Sequence, residues 1–110
     1  MKLDVSWRNE NLVITLTGAL TMDNAGRLVA QLRSLIAPPC RRCILDLAAL
    51  ESIDSSGIGA LATSVDTARE RQATLVLCAV PARVRQTIEI ARADRFLALF
   101  PDVDAAVNAP

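Results

Sequence analysis

The alternation of apolar and polar positions near the start of the chain predicts two strands. Leu3, Val5 and Trp7 alternate with polar residues, as expected of a strand with one buried face. A polar, Asn-rich turn over residues 8–11 follows, and then residues 12–17, which are rich in β-branched side chains. Two strands joined by a short polar turn predict an antiparallel hairpin, in which Trp7 packs on the sheet.

Three later segments have the 3.6-residue periodicity of amphipathic helices. Asp23 or Asn24 is expected to cap the first helix, and Pro38-Pro39 to end it. The predicted apolar faces are Ala25, Leu28, Val29, Leu32, Leu35 and Ile36 in the first helix, Ile58, Leu61, Ala62, Val65 and Ala68 in the second, and Val84, Ile88 and Ala91 in the third.

Short apolar runs between these helices predict buried strands, at residues 43–47 and 74–80. Residues 48–53 are expected to form a loop, and residues 96–100 either a last strand or a helix end. Residues 102–109 predict a final helical turn or two, capped by Asp102 or Asp104.

Strands that alternate with helices imply parallel pairing with right-handed crossovers. The sequence therefore predicts one α/β domain over residues 1–110, with a mixed, mostly parallel sheet, an N-terminal antiparallel hairpin and helices packed on it.

Composition narrows the possible partners and location. Twelve basic and twelve acidic residues give zero net charge, which argues against nucleic acid as a partner. No segment approaches the roughly 20 apolar residues of a membrane span, so we expect no direct membrane insertion. The start of the chain has no signal-peptide pattern, and three cysteines fit a reducing compartment, so a cytoplasmic location is expected.

The absence of His and Tyr removes imidazole catalysis and His-ligated metal sites, and we expect no enzyme, no metal and no cofactor. Cys40-Arg41-Arg42-Cys43 is a C-x-x-C, but it precedes a strand instead of opening a helix. Cys43 and Cys78 are predicted to lie in the core and Cys40 to be exposed. A thiol oxidoreductase remains an alternative that would require low thiol pKa values.

The turn Asp54-Ser55-Ser56-Gly57 carries the most specific chemistry. It ends a strand-like segment and opens the second amphipathic helix. Gly57 and Gly59 lie in the first turns, where glycine costs about 0.5–1 kcal/mol relative to Ala, so either close packing or the approach of another molecule is expected there. A hydroxyl beside unpaired N–H groups at the positive end of the helix dipole is suited to accept phosphate.

Residues 43–61, from Cys-Ile-Leu-Asp-Leu to Asp-Ser-Ser-Gly-Ile-Gly, resemble the signature of STAS domains. The likeness extends to Leu16–Leu20 and Leu75–Pro81, and so over most of the chain. The resemblance implies a bacterial anti-sigma factor antagonist, a regulator of transcription that works by protein–protein interaction. Its implied partners are an anti-sigma factor kinase of histidine-kinase-like ATPase fold, which phosphorylates the second serine of the motif, here Ser56, and a phosphatase.

The resemblance also assigns roles around Ser56. Asp54 is expected to set the electrostatics of the phosphoacceptor and Ser55 to cap the helix. The implied partner-binding surface comprises Thr21, Asp23, Asp54, Ser55, Gly57 and Gly59.

One position departs from the family pattern, because Thr21 stands where members often have Asp, and Asp23 follows two residues later. The alternative that keeps the fold is a cytosolic STAS subunit of an ABC-type phospholipid transport complex. The complete Asp-Ser-Ser-Gly favours the first function, and Thr21 favours the second.

Overall fold

The elements alternate between strand and helix along most of the chain. The structure is a computed structural model that describes all residues, Met1–Pro110. In chain order the elements are β1 (Lys2–Arg8), β2 (Asn11–Leu20), α1 (Ala25–Leu35), β3 (Arg42–Asp46), β4 (Leu50–Ile53), α2 (Ser55–Glu70), β5 (Thr74–Cys78), α3 (Ala82–Ile90), a 3-10 turn (Ala93–Arg95), β6 (Leu99–Phe100) and α4 (Val103–Asn108). The predicted α/β class and the mixed sheet with an antiparallel N-terminal hairpin are confirmed.

Strand β2 organises the six-stranded sheet, in which five strands follow the order β1-β2-β3-β5-β6 and β4 pairs with β2 beside this path. Along one edge it pairs antiparallel with β1. Along the other, residues 11–15 pair parallel with β3, and Gly18–Leu20 pair parallel with β4. The register shifts between Gly18 and Ala19, and Gly18 has φ +103, a conformation that favours glycine. The shift directs the end of β2 towards β4.

Helices cover both faces of this sheet. The larger core cluster lies between the sheet and helices α1, α2 and α3, and the smaller cluster lies between the sheet and α4. Because successive strand side chains point to opposite faces, Leu12 and Ile14 join the first cluster and Val13 joins the second. None of the helices is long and apolar enough to cross a membrane.

The predicted helix faces are largely confirmed. The buried residues are Ala25, Leu28, Leu32 and the C-cap Ile36 in α1, Ile58, Leu61 and Ala68 in α2, and Val84 and Ile88 in α3. Ala91 is exposed, against the prediction, because α3 ends at Ile90 and the chain turns away.

Two uncertain or missed segments are now placed. Residues 48–53 are not wholly a loop, because Leu50–Ile53 form β4 beside the end of β2. The run at residues 96–100 ends in the short strand β6.

Asp102, not Asp104, caps α4, since its Oδ1 accepts the amide hydrogen of Ala105 at 2.8 Å.

The outer strand β1 is more exposed than its alternating pattern predicts. Val5 is 42% exposed and Trp7 is 46% exposed, so Trp7 packs only partly on the sheet. Alternation identifies which residues share a face, but not whether a helix lies over that face. Here α1 leaves the edge of the sheet only partly covered.

Arg42, at the start of β3, fastens α4 to the sheet. Its guanidinium donates to the carbonyl oxygen of Ala106, to that of Ala109 at 3.0 Å and to that of Pro110 at 3.1 Å. Ala106 lies in the last turn of α4 and Ala109 is its C-cap, where a helix leaves carbonyl groups without a partner, so Arg42 satisfies groups that the helix leaves open.

We expect Arg42→Met to lower the free energy of unfolding by about 2 kcal/mol, since it removes several charge-assisted hydrogen bonds. The neighbouring Arg41 forms an exposed ion pair with Glu10 at 3.4 Å, so the matched control Arg41→Met should cost less than about 0.5 kcal/mol. Urea denaturation measures both. Equal losses from the two variants would contradict this role of Arg42.

Candidate functional site

Two loops meet where β2 and β4 end. The loop after β2 covers residues 21–24, and Asp54 directly follows β4. The amide of Asp54 donates to the carbonyl oxygen of Leu20 at 3.2 Å, which continues the pairing of the two strands by one residue. Parallel strands end at the same edge of a sheet, and this edge therefore brings Thr21 and Asp23 to the side of the sheet where Asp54 begins α2.

Asp54 links the two loops through both carboxylate oxygens. Its Oδ1 accepts the amide hydrogen of Gly57 at 2.9 Å, and its Oδ2 accepts that of Met22 at 3.1 Å. Asp54 has extended backbone angles and occupies the N-cap position of α2. The expectation that Ser55 caps the helix is wrong, because Ser55 is already the first helical residue.

Ser55 and Ser56 are exposed in the first turn of α2. The amides of Gly57 and Ile58 have acceptors on Asp54, whereas the amides of Ser55 and Ser56 have no acceptor within the chain. An exposed hydroxyl therefore lies beside free N–H groups at the positive end of a 16-residue helix. Phosphorylation of Ser56 itself stays a prediction.

The two glycines of the motif differ in their surroundings. A Cβ on Gly57 would lie 2.5 Å from the carbonyl oxygen of Leu20 and 2.7 Å from Cγ1 of Ile53, so the bare backbone is needed for packing. A Cβ on the exposed Gly59 would have nothing within 4 Å. Of the two reasons expected for glycine here, close packing applies to Gly57 and does not apply to Gly59.

The loop after β2 is held by its own polar groups. The Thr21 carbonyl accepts the amides of Asn24 and Ala25, and the half-buried Thr21 hydroxyl accepts that of Asp23 at 3.4 Å. Asn24 occupies the N-cap position of α1, but its side chain bonds the Thr21 amide and the Ala19 carbonyl instead of a helix amide. Asp23 is exposed and caps no helix.

Met22 is a residue of this site that the sequence analysis missed. Met22 is 76% exposed, while its backbone amide donates to Oδ2 of Asp54. The feature of the sequence that could have identified Met22 is its apolar side chain inside the otherwise polar turn Thr21-Met22-Asp23-Asn24. The site thus combines a fixed backbone with an apolar side chain that is free to contact another molecule.

The cysteines lie elsewhere, and all three are buried. The prediction that Cys40 is exposed is wrong: the residue is buried, and its thiol lies against the backbone of Leu12 in β2 and of Arg42 in β3. Burial raises the pKa of the Cys40 thiol and of the Cys43 thiol. These raised values contradict the thiol oxidoreductase alternative, which requires thiolates near neutral pH. No group of three or more acidic, Cys or His side chains is arranged to hold a metal ion.

The glycines give a paired prediction. Gly57→Ala should lower the free energy of unfolding by about 1–3 kcal/mol, because the new methyl group meets the backbone of β2. Gly59→Ala should raise it by about 0.5–1 kcal/mol, since alanine favours the helix and meets no atom. Thermal and urea unfolding measure both, and equal effects would contradict the packing described for Gly57.

The buried thiols predict a loss of stability at alkaline pH. Burial first, and then the charges of Asp46 and Asp102, raise the pKa of Cys78 from 9.0 to about 11. Between these values the unfolded chain releases thiol protons that the folded chain retains, so the free energy of unfolding should fall as pH rises. The chain has no Tyr, whose phenol would otherwise contribute to the pH dependence in this range.

Urea titrations at several pH values check this prediction. Cys78→Ala should reduce the dependence on pH, and in the native protein all three thiols should react slowly with a disulfide reagent. A flat stability profile across this pH range would contradict the account.

Comparison with known proteins agrees with the fold and with the STAS resemblance. A sequence profile described as "Mlab, STAS domain" matches residues 3–101. BtrV of Bordetella bronchiseptica, whose name assigns it to the anti-sigma factor antagonists, is 34% identical over 101 residues, which cover 92% of this chain and 84% of BtrV.

Solved structures give the same architecture. An anti-sigma factor antagonist from Mycobacterium paratuberculosis has a TM-score of 0.84 at 22% identity, with 96% of this chain and 90% of that chain covered. The antagonist SpoIIAA in its unphosphorylated form has a TM-score of 0.70 at 16% identity, with 96% and 94% covered. At these identities the structures support the fold, and the profile and BtrV carry the assignment. The chain belongs to the STAS domain family, and its type is that of the anti-sigma factor antagonists.

Proposed function

We propose that this protein binds an anti-sigma factor kinase and that phosphorylation of Ser56 by that kinase weakens the complex. The observation that carries the proposal is the exposed Ser56 hydroxyl in the first turn of α2, next to amides without an acceptor. The relatives' role as anti-sigma factor antagonists supports a protein partner of this class.

The chemistry divides between the two proteins. The Ser56 oxygen attacks the terminal phosphorus of a nucleoside triphosphate on the kinase, its proton passes to a base, and the nucleoside diphosphate leaves. This chain has no His, and the nearby Asp54 carboxylate is engaged by two amides. The kinase therefore supplies the base, and Asp54 acts as a positioning residue for the turn. A phosphatase would hydrolyse the ester and restore the hydroxyl.

Phosphate at Ser56 is expected to leave the fold intact. It adds about −1.5 to −2 charges at a helix N-terminus, where negative charge is stabilising. The free amides of Ser55 and Ser56 lie in the same turn. The effect on the partner would then come from charge and bulk at the surface rather than from melting of α2.

The surface around Ser56 is suited to a protein partner. Met22 supplies an exposed apolar side chain, and Gly59 leaves the backbone of the next turn open. Asp23 and Ser55 add exposed polar groups, and Thr21 is half-buried between them and the sheet. Asp54 and Gly57 contribute by holding the turn in place.

One observation favours a second candidate function, that of a STAS subunit of an ABC-type phospholipid transport complex. Thr21 provides a hydroxyl where the STAS resemblance implies an Asp in many members, and that hydroxyl accepts the amide hydrogen of Asp23 within its own loop. The same exposed surface would then dock constitutively on the transporter, with no modification of Ser56.

Purification of the tagged protein from its source cells separates the two functions. We expect a kinase-type partner to be retained, and the complex to yield phosphorylated chain when a nucleoside triphosphate is added. Transport ATPase subunits with an unmodified Ser56 would support the second function and contradict the first.

Serine variants test the position of the phosphate in that complex. Ser56→Ala should abolish phosphorylation, whereas the matched control Ser55→Ala should retain it, as measured by mass spectrometry of the intact chain. Ser56→Asp should weaken partner binding by about tenfold or more while leaving the unfolding midpoint unchanged or slightly raised, because an acidic group in the first turn stabilises a helix. Phosphate on Ser55, or a Ser56→Asp protein that binds normally, would contradict the proposal.

A further inference from the structure

Strand β1 leaves one edge of the sheet without a partner. It pairs with β2 on one side only and stands at the end of the strand order. Alternate residues of this seven-residue strand direct their backbone N–H and C=O groups away from β2, and the side chains of Val5 and Trp7 are exposed beside them. An exposed edge with apolar side chains is a template for another strand.

The apolar residues of β1 continue the covered face of the sheet. Val5 lies opposite Ile14 and Trp7 opposite Leu12, and both partners are fully buried in the main core cluster. Between β1 and α1 runs a shallow, largely apolar groove, lined by Leu3, Val5, Arg27, Ala30, Gln31 and Leu35. The edge therefore presents both backbone groups and an apolar band that this copy of the chain leaves uncovered.

We propose that the β1 edge pairs antiparallel with the β1 edge of a second copy of this chain, with the two-fold axis at Ser6. Strands related by such an axis, perpendicular to the sheet, place opposite residues on the same face. In this register Val5 of each copy lies opposite Trp7 of the other. Trp7 of the second copy would then cover Val5 at the mouth of the groove.

Charge complementarity supports this register. Asp4 of each copy lies opposite Arg8 of the other, so the dimer gains two pairs of opposite charges on the face that carries α4. Ser6 lies opposite Ser6 of the second copy, so the axis itself brings no like charges together. Beyond the strand, Lys2 comes opposite Glu10 of the turn, again with opposite sign.

The other two-fold registers are less favourable. An axis at Asp4 places that carboxylate opposite itself, and an axis at Val5 places Lys2 opposite Arg8. An axis at Trp7 places Asp4 opposite Glu10. An axis at Leu3 pairs Lys2 with Asp4, but it leaves Trp7 uncovered.

The contacts that β1 makes within its own copy are compatible with the proposed β1–β1 pairing. Arg8 forms an ion pair with Asp104 of its own copy at 2.7 Å, and its five donors suffice to bind a second carboxylate. The paired stretch Asp4–Arg8 lies beside residues 11–15 of β2, away from Leu20, where the candidate site begins. The dimer would therefore leave Ser56 accessible, and the proposal is independent of the function proposed above.

Trp7 is the only tryptophan of the chain, so its fluorescence reports on the proposed interface directly. We expect sedimentation equilibrium to show a monomer–dimer equilibrium between about 1 μM and 1 mM, and the emission maximum to shift to shorter wavelength over the same range. A chain that stays monomeric up to about 1 mM would overturn the proposal, as would a dimer that forms with no change in emission.

Charge reversal tests the register itself. Asp4→Arg places Arg opposite Arg8, and Arg8→Asp places Asp opposite Asp4, so each variant alone should weaken dimerisation by about tenfold or more. An equimolar mixture of the two variants restores opposite charges at both positions and should dimerise again. Arg85→Asp, on the exposed surface of α3, is the control and should dimerise normally.

The mixture separates the proposal from loss of folding, because a misfolded variant would not be rescued by the other. Circular dichroism of each variant completes that control. A dimer insensitive to both reversals, or two variants that remain monomeric when mixed, would overturn the Ser6 register and with it the proposal.

Discussion

The close approach of α2 to the end of β2 determines the geometry of the candidate site. The position where Gly57 would carry a Cβ is 2.5 Å from the carbonyl oxygen of Leu20, so only glycine allows the helix to start there. With the helix in that place, the Asp54 carboxylate reaches the amide of Gly57 on one side and the amide of Met22 on the other. Ser55 and Ser56 are consequently turned outward. Their exposure follows from the tight packing of the residue next to them.

This arrangement separates the rigid part of the site from the part that can react. Gly57 packs against β2 and the Asp54 carboxylate accepts two amide hydrogens. The Ser56 hydroxyl and the amides of Ser55 and Ser56 form no hydrogen bond within the chain. A negative group added to Ser56 would meet free donors and a favourable helix dipole rather than a filled core. The proposed phosphorylation of Ser56 would change the surface that meets a partner, and the hydrophobic core would stay the same with and without the phosphate.

The elements that could be predicted from the sequence depend on local patterns of residues. The elements that could not be predicted depend on contacts between residues far apart in the chain. The buried faces of α1, α2 and α3 follow from periodicity, and the start of α2 follows from a polar cap before an apolar stripe. Strand β4 could not be predicted from the sequence, because a run of four residues shows no reliable hydrophobic period. Leu50–Ile53 form a strand only by pairing with the irregular end of β2. The burial of Cys40 and the exposure of Trp7 likewise depend on which neighbouring element covers them. The capping oxygen was assigned one residue too late, because Ser and Asp are both favoured caps.

The two surfaces of interest lie towards opposite ends of β2, and this placement constrains how they could work together. The β1 edge from Asp4 to Arg8 pairs with the first half of β2, whereas the candidate site begins beyond its last residue, Leu20. A two-fold axis perpendicular to the sheet reverses the strand direction, so the Ser56 sites of a paired dimer would point away from each other. Each site would then bind its own partner molecule. Under the proposed function, the dimer would carry two independent phosphorylation sites rather than one composite surface, because neither copy contributes residues to the other's site.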